Sequence, residues 1–227
     1  MNYFAHGRNH IHRPYFLVGT AVPDWLCVVD RRMRIRRRHA EQYLGDVDPR
    51  HAAGVLQHLD DDRWFHQTRA FAELSLQLSL DIRAVLSDDA GFRPSFLGHI
   101  LVEILLDAVL IEQQQDQLDA YYATFDEIDP HVVGEAVGCM AGQRSNHLPT
   151  FIPRFLSERF LYDYLDDAKL LWRLNLVMRR VKLTLLPERL LQIFPEARRK
   201  IRLRRDELLS AEPVANHQSD FPGGTLS

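Results

Sequence analysis

Gly98-His99-Ile100-Leu101-Val102-Glu103-Ile104-Leu105-Leu106-Asp107 is the stretch that decides how this chain is read. Every residue between the three polar positions is aliphatic. A step of four residues turns an α-helix about 40° beyond one full rotation, so His99, Glu103 and Asp107 form one polar stripe along one face. A helix that is otherwise aliphatic all round is buried. An isolated ionised carboxylate in such surroundings is strongly unfavourable, so the stripe must be paired, protonated or bound to a metal.

Working outward, the apolar residues keep a helical period. Residues 49–86 place Val55, Leu59, Phe65, Leu74, Leu78 and Ile82 at three- and four-residue steps, with Asp48-Pro49 as N-cap and first turn. A turn at 88–94 precedes a helix capped by Ser95 and running to about residue 124. Residues 15–29 are apolar around Pro23, which predicts a helix or turn broken near Pro23-Asp24. Asp129-Pro130 opens another helix, which closes before Ser145-Asn146-His147-Leu148-Pro149. Further helices are expected over 153–165, 167–185 and 187–209. No alternating strand and no internal repeat is found. The expectation is an all-α, single-domain multi-helix bundle over residues 1–210 with a buried polar, metal-binding face. A disordered tail rich in Pro, Gly, Ser and Asn is expected over 211–227.

Composition agrees with a globular chain. Its 227 residues are 46% hydrophobic and 26% charged with a net charge of −3, which excludes collagen-like, low-complexity and disulfide-scaffold classes. That length buries a core without disulfides. Cys27 and Cys139 sit among apolar neighbours and are expected to be buried and reduced. The first residues lack the apolar stretch of a secretory signal, and 97–111 reads as too short and too polar to span a bilayer, which makes a cytoplasmic address the default.

Eight of the 11 His fall within the first 99 residues. His58, Asp62 and His66 repeat the spacing of His99, Glu103 and Asp107. Imidazole and carboxylate are the usual ligands of zinc, manganese and iron, and four-residue spacing lets two side chains converge on one ion. Two such helices side by side would hold two divalent ions (Mn, Fe or Zn). The alternative is a solvated face with internal pairs for the first triplet, and a buried network with Arg partners for the second. Asp24 follows Gly19 and Pro23 and reads either as a cap or as a carboxylate presented from a helix end. Arg31, Arg32, Arg34, Arg36, Arg37 and Arg38 form a basic run that reads as a solvated face or as a docking patch for an anionic partner. A second basic run covers 198–205. Aromatic residues interleave with neither, which argues against nucleic acid.

The N-terminal residues Met1-Asn2-Tyr3-Phe4-Ala5-His6, then Leu17-x-Gly19 and Asp24-Trp25, resemble the start of acyl carrier protein phosphodiesterases. The block Gly54, Val55, His58, Asp62 and His66 resembles a second motif of that family, with His66 where the family usually has Asp. Glu103 and Asp107 fall on the family's Asp-x-x-x-Asp-His helix, with Ala108 in place of the last His. Leu148-Pro149, Tyr164 and Met178-Arg179-Arg180 are similar to later landmarks. The same segments resemble, more loosely, the zinc-dependent phospholipase C superfamily through Gly19 to Asp24, His58/Asp62 and His99/Glu103.

Both resemblances imply an all-α, metal-dependent phosphoric-ester hydrolase. The first implies removal of phosphopantetheine from an acidic carrier protein, the second a phospholipase-like substrate. By this reading His6, Asp24, His58, Asp62, His99, Glu103 and Asp107 are metal ligands or near-ligands. Asp62 and His66 are the catalytic pair, His66 being a further ligand or the acid that protonates the leaving oxygen. A non-catalytic helical interaction protein that retains the fold is the alternative.

Overall fold

The computed structural model describes residues 1–45, 49–86, 91–143, 145 and 147–210. Among them the chain is helical, with no strand. Asp48 and the expected tail at 211–227 lie outside the described residues, as do residues 88–90 of the turn expected at 88–94.

Twelve α-helices follow in order: α1 Tyr3–Gly7, α2 Pro14–Val29, α3 Arg37–Gln42, α4 Arg50–Gln67, α5 Arg69–Leu86, α6 Pro94–Gln113, α7 Gln115–Thr124, α8 Pro130–Ala141, α9 Leu148–Glu158, α10 Asp167–Arg180, α11 Phe194–Leu203 and α12 Arg205–Leu209. Short 3₁₀ turns link several of them, including Phe160–Leu165 and Glu188–Ile193.

Four expected helices are divided: 153–165 after Glu158, 187–209 into the Glu188–Ile193 turn, α11 and α12, and the two longest at Thr68 and Gln114. Residues 50–86 break at Thr68, whose backbone turns extended (ψ 140°). Its hydroxyl then accepts from the Phe71 N–H at 3.1 Å and so caps α5. The helix from residue 94 ends at Gln113 rather than near 124, because Gln114 leaves helical geometry (φ −145°, ψ 59°) and α7 begins beyond it.

Pro23, conversely, does not break α2. Its ring removes one backbone donor, a cost of about 3 kcal/mol. Packing holds the helix through it, since Leu17, Val18, Ala21, Val22, Trp25 and Leu26 are all buried. Likewise Pro153 lies inside α9 instead of starting it. Asp129 caps α8 as expected, accepting from the His131 N–H at 2.8 Å. Both cysteines are free, as expected, but exposed rather than buried.

Two close approaches set the frame. A Cβ on Gly19 would lie 2.4 Å from the His51 carbonyl oxygen, and one on Gly54 would lie 2.1 Å from that of Phe16. Helices α2 and α4 therefore cross in backbone contact, closer than any larger residue permits. Gly98 plays the same part between α6 and α5, where a Cβ would lie 2.5 Å from the Ser75 carbonyl oxygen. The helix α6 is long and apolar enough to cross a membrane, contrary to the reading of 97–111, yet it is mostly buried inside the protein as a core helix.

Aromatic rings fill the space between the helix pairs. Trp25 is fully buried with its ring centroid 5.2 Å from Phe155 and 5.7 Å from Phe125. The C-terminal basic run is spent on internal pairs: Arg198 with Asp167, Lys200 with Asp81, Arg202 with Glu112, and Arg204 with Glu73 and Glu207. These straps hold α11 and α12 against α5, α6 and the start of α10.

Gly54→Ala should lower stability by about 3 kcal/mol, and the melting temperature by roughly 6–12 °C, because backbone atoms must move to admit the methyl group. Gly45→Ala, where a Cβ meets nothing within 4 Å among the described residues, should leave the thermal melt within about 2 °C of wild type.

Candidate metal centre

The crossing at Gly19 and Gly54 puts the next turns of α2 and α4 within reach of each other. His58 lies one turn beyond Gly54, and its Nδ1 is 2.8 Å from the Thr20 carbonyl oxygen. A carbonyl only accepts, so Nδ1 carries the proton and Nε2 is directed at Asp62 Oδ2, 3.4 Å away. Pro23 withholds a donor from the Gly19 carbonyl in this same turn of α2.

His6 arrives from α1. Its ring stacks on His58 with centroids 4.1 Å apart. His6 Nδ1 donates to Asp61 Oδ2 at 3.1 Å, and Asp61 is steadied by Gln57 at 2.8 Å and Trp64 at 3.3 Å. The remaining nitrogen, Nε2, is buried without a hydrogen bond, 3.2 Å from Asp62 Oδ1. Asp24 stands beside this group with one carboxylate oxygen, Oδ2, likewise buried and unbonded. Burial raises the Asp24 carboxyl above its usual range, with His58 and His6 opposing.

A second group forms between α4 and α6. His66 Nε2 and His99 Nε2 both face Glu103 Oε1, at 2.8 Å and 3.2 Å. Phe71 packs edge-on against both imidazoles, each with its centroid at 4.8 Å. Between the two groups, the Met1 ammonium is 2.7 Å from Asp62 Oδ1 and 3.7 Å from Glu103 Oε1.

His6, His58 and Asp62 thus offer ligand atoms within 4.8 Å of one another, and so do His66, His99 and Glu103. Ligand atoms bound about 2.1 Å from one ion at tetrahedral or octahedral angles stand about 3.0–3.4 Å apart. Three of the observed separations, 3.2, 3.4 and 3.2 Å, fall in that range, and the fourth, His66 to Glu103 at 2.8 Å, is a hydrogen-bond distance. Within the first group His6 Nε2 is left without a hydrogen bond, and Asp24 Oδ2 is one further orphaned atom that a cation would satisfy. Each imidazole of the first group has its outer nitrogen anchored, by Thr20 and by Asp61, as metal-ligating histidines require. The residues fit a divalent ion.

Electrostatics follow from the same contacts. Burial pushes Asp62 upward, but His58, His6 and the ammonium hold it well below the usual carboxylate range. Burial also opposes ionisation of Glu103, yet bonds from His66 and His99 bring it down to about 2. His58 is pulled down by burial but raised overall by Asp62 and Asp24.

Asp107 is a correction to the expected ligand set. It is fully buried, and its two oxygens accept the Phe4 and Ala5 N–H groups at 2.9 and 2.7 Å. It caps the start of α1 from another helix and joins neither ligand group. Burial drives its carboxyl up to about 7 against those two donors. His66 departs from its expected partners too, joining Glu103 and His99 rather than His58 and Asp62. Asp61 and Thr20, the anchors of His6 and His58, were not singled out for those roles. Asp61 lies between two other acids, Asp60 and Asp62, and Thr20 acts through its backbone carbonyl, so neither has a local sequence signal for its role.

The basic run divides. Arg31 donates to the Arg180 carbonyl at the end of α10, and Arg37 pairs with Asp60 and, at 3.6 Å, with Glu41. Arg38 donates to His39 at 3.2 Å. Met33 and Ile35 are buried, so the segment is pinned, while Arg32, Arg34 and Arg36 are exposed and form no ion pair among the described residues.

A cleft of about 600 Å³ opens beside both groups, with Asp24 and Glu103 in its lining. Its walls come from α1, α2, α6, α9, the Phe160–Leu165 turn and α10. Comparison of the chain with protein-family models, with curated proteins and with solved structures finds no match.

Because the folded Glu103 lies at about 2 against an ordinary 4.5, its stabilising effect is complete above about pH 4.5 and is lost as pH falls towards 2. Thermal melts of Glu103→Gln against wild type should differ most near neutral pH and converge towards pH 2. A gap that widened on acidification would contradict this charge assignment.

Proposed function

We propose that the protein is a metal-dependent phosphoric-ester hydrolase, a phosphodiesterase using Mn, Fe or Zn, with two ions as the full complement. The observation that carries this reading is the pair of two-histidine, one-carboxylate groups at ligand spacing, flanking a cleft. Such triads leave coordination positions open to substrate and water. His6, His58 and Asp62 would hold one ion with Asp24 adjacent, and His66, His99 and Glu103 the other. A bound divalent ion supplies hydroxide near neutral pH and polarises phosphoryl oxygens.

The chain's own residues set the rest. Asp61 and Thr20 fix which nitrogen of His6 and His58 faces inward. Phe71 excludes water from one side of His66 and His99. Of the site groups, only Asp24 and Glu103 reach the cleft lining, so they meet the substrate first. His66 serves this reading better as a ligand than as the acid, because its Nε2 is turned to Glu103.

The carrier-protein phosphodiesterase resemblance supplies the substrate class: a phosphodiester on an acidic partner. Exposed Arg32, Arg34 and Arg36 support such docking. A cytoplasmic address belongs to the same reading. The second reading, a non-catalytic helical protein, is favoured by one feature. Asp62 and Glu103 already have internal partners in the Met1 ammonium and the imidazoles.

Metal analysis separates the two. Protein purified without added metal should carry Mn, Fe or Zn, and should hydrolyse bis(p-nitrophenyl) phosphate until the metal is chelated. Asp61→Asn should weaken metal binding by about 10- to 100-fold while the fold persists. Absence of metal, with no rise in melting temperature on adding any of these ions, would favour the non-catalytic reading.

A further inference from the structure

Among the described residues, Arg180 is the cation in the lining of the cleft that forms no ion pair. Of the other two arginines there, Arg154 is 2.7 Å from Glu158, and Arg173 is 3.0 Å from Glu158 and 2.7 Å from Asp163. Arg180, on the last turn of α10, forms no ion pair among the described residues and is exposed. Its backbone is fixed, since its carbonyl accepts from Arg31. Its charge reaches Cys27, one turn along α2 from Asp24: burial raises that thiol and Asp24 adds to the rise, while Arg34 and Arg180 draw it back.

The lining also carries the acids Asp24, Glu103 and Glu158, which repel an anionic ligand. An anion entering here needs a cation that is not already neutralised. Most of the remaining wall is apolar, built from residues such as Val28, Ile100, Ile104, Phe155 and Val177. A bare phosphate would leave that wall facing water, whereas an apolar substituent gains from covering it.

We propose that Arg180 is the specificity-determining contact for the substrate's anionic oxygens, and that the cleft takes a phosphoric ester bearing a bulky apolar group, laid along that wall. The assignment rests on the hydrolase reading above and deepens it by naming the substrate's shape and charge. The guanidinium offers paired N–H donors to phosphoryl oxygens, a geometry that a lysine ammonium reproduces only as a point charge.

The test is calorimetric titration of manganese-loaded protein with phenylphosphonate, which joins a phosphonate anion to an apolar ring, and with inorganic phosphate. Metal content is measured on the same samples. Wild type should bind phenylphosphonate at least tenfold more tightly than phosphate. Arg180→Gln should lose about tenfold or more of the phenylphosphonate affinity, and Arg180→Lys should recover part of it. Arg179→Gln, which removes a neighbouring exposed charge outside the cleft lining, should bind as wild type does. Because Arg180 is exposed and unpaired, its variants should melt with wild type.

Unchanged affinity in Arg180→Gln with an intact metal complement overturns the Arg180 assignment alone. Equal binding of phosphate and phenylphosphonate overturns the apolar-substituent assignment. A protein that takes up no metal overturns the hydrolase reading and this proposal with it.

Discussion

The backbone contact between Gly19 and Gly54 is the constraint on which the polar interior depends. With no Cβ at either position, α2 and α4 come together until a methyl group would sit 2.1 Å from the Phe16 carbonyl oxygen. Only at that separation does His58 Nδ1 find the Thr20 carbonyl at 2.8 Å, and only then is its other nitrogen committed to face Asp62. Asp24, one turn past Thr20, is brought to the same pocket. Two glycines thus convert an ordinary helix crossing into a wall of ligand-type atoms.

Asp107 completes the arrangement from the opposite side. By accepting the first N–H groups of α1, it docks a five-residue helix that could not persist alone. That helix delivers His6 onto His58. A buried carboxylate first read as a metal ligand is instead what places His6 against His58, and it sits on the same helix as Glu103. Two members of the second group, His99 and Glu103, and the tether that brings His6 to the first are therefore built into one element, α6.

Much of this was legible in the sequence, and the failures have a common geometry. Helical periodicity identified an all-α chain, and the spacing of His58 with Asp62 and of His99 with Glu103 correctly paired residues on one face. Extending either stripe by one further step failed. Eight residues turn a helix about 80° past two rotations, enough to swing the last member towards a different neighbour. Hence His66 leaves His58 for Glu103, and Asp107 leaves Glu103 for α1. Other features depended on tertiary contact with no local signature. Pro23 is carried through α2 by packing on both sides, and Arg31 is drawn to the end of α10 rather than left as a docking cation. The basic residues near the C-terminus looked like a patch, but their acidic partners are scattered over Glu73, Asp81, Glu112 and Asp167, far apart in the chain.

The central claim is that the two His-His-carboxylate groups are ligand sets rather than internal salt bridges. Anomalous diffraction at the zinc or manganese edge, from crystals of the protein grown with the ion, tests it most directly. The account predicts anomalous peaks bounded by His6, His58 and Asp62 and by His66, His99 and Glu103. Occupied metal elsewhere in the chain, or crystals with no peak at either group while the imidazoles stay against Asp62 and Glu103, would contradict it.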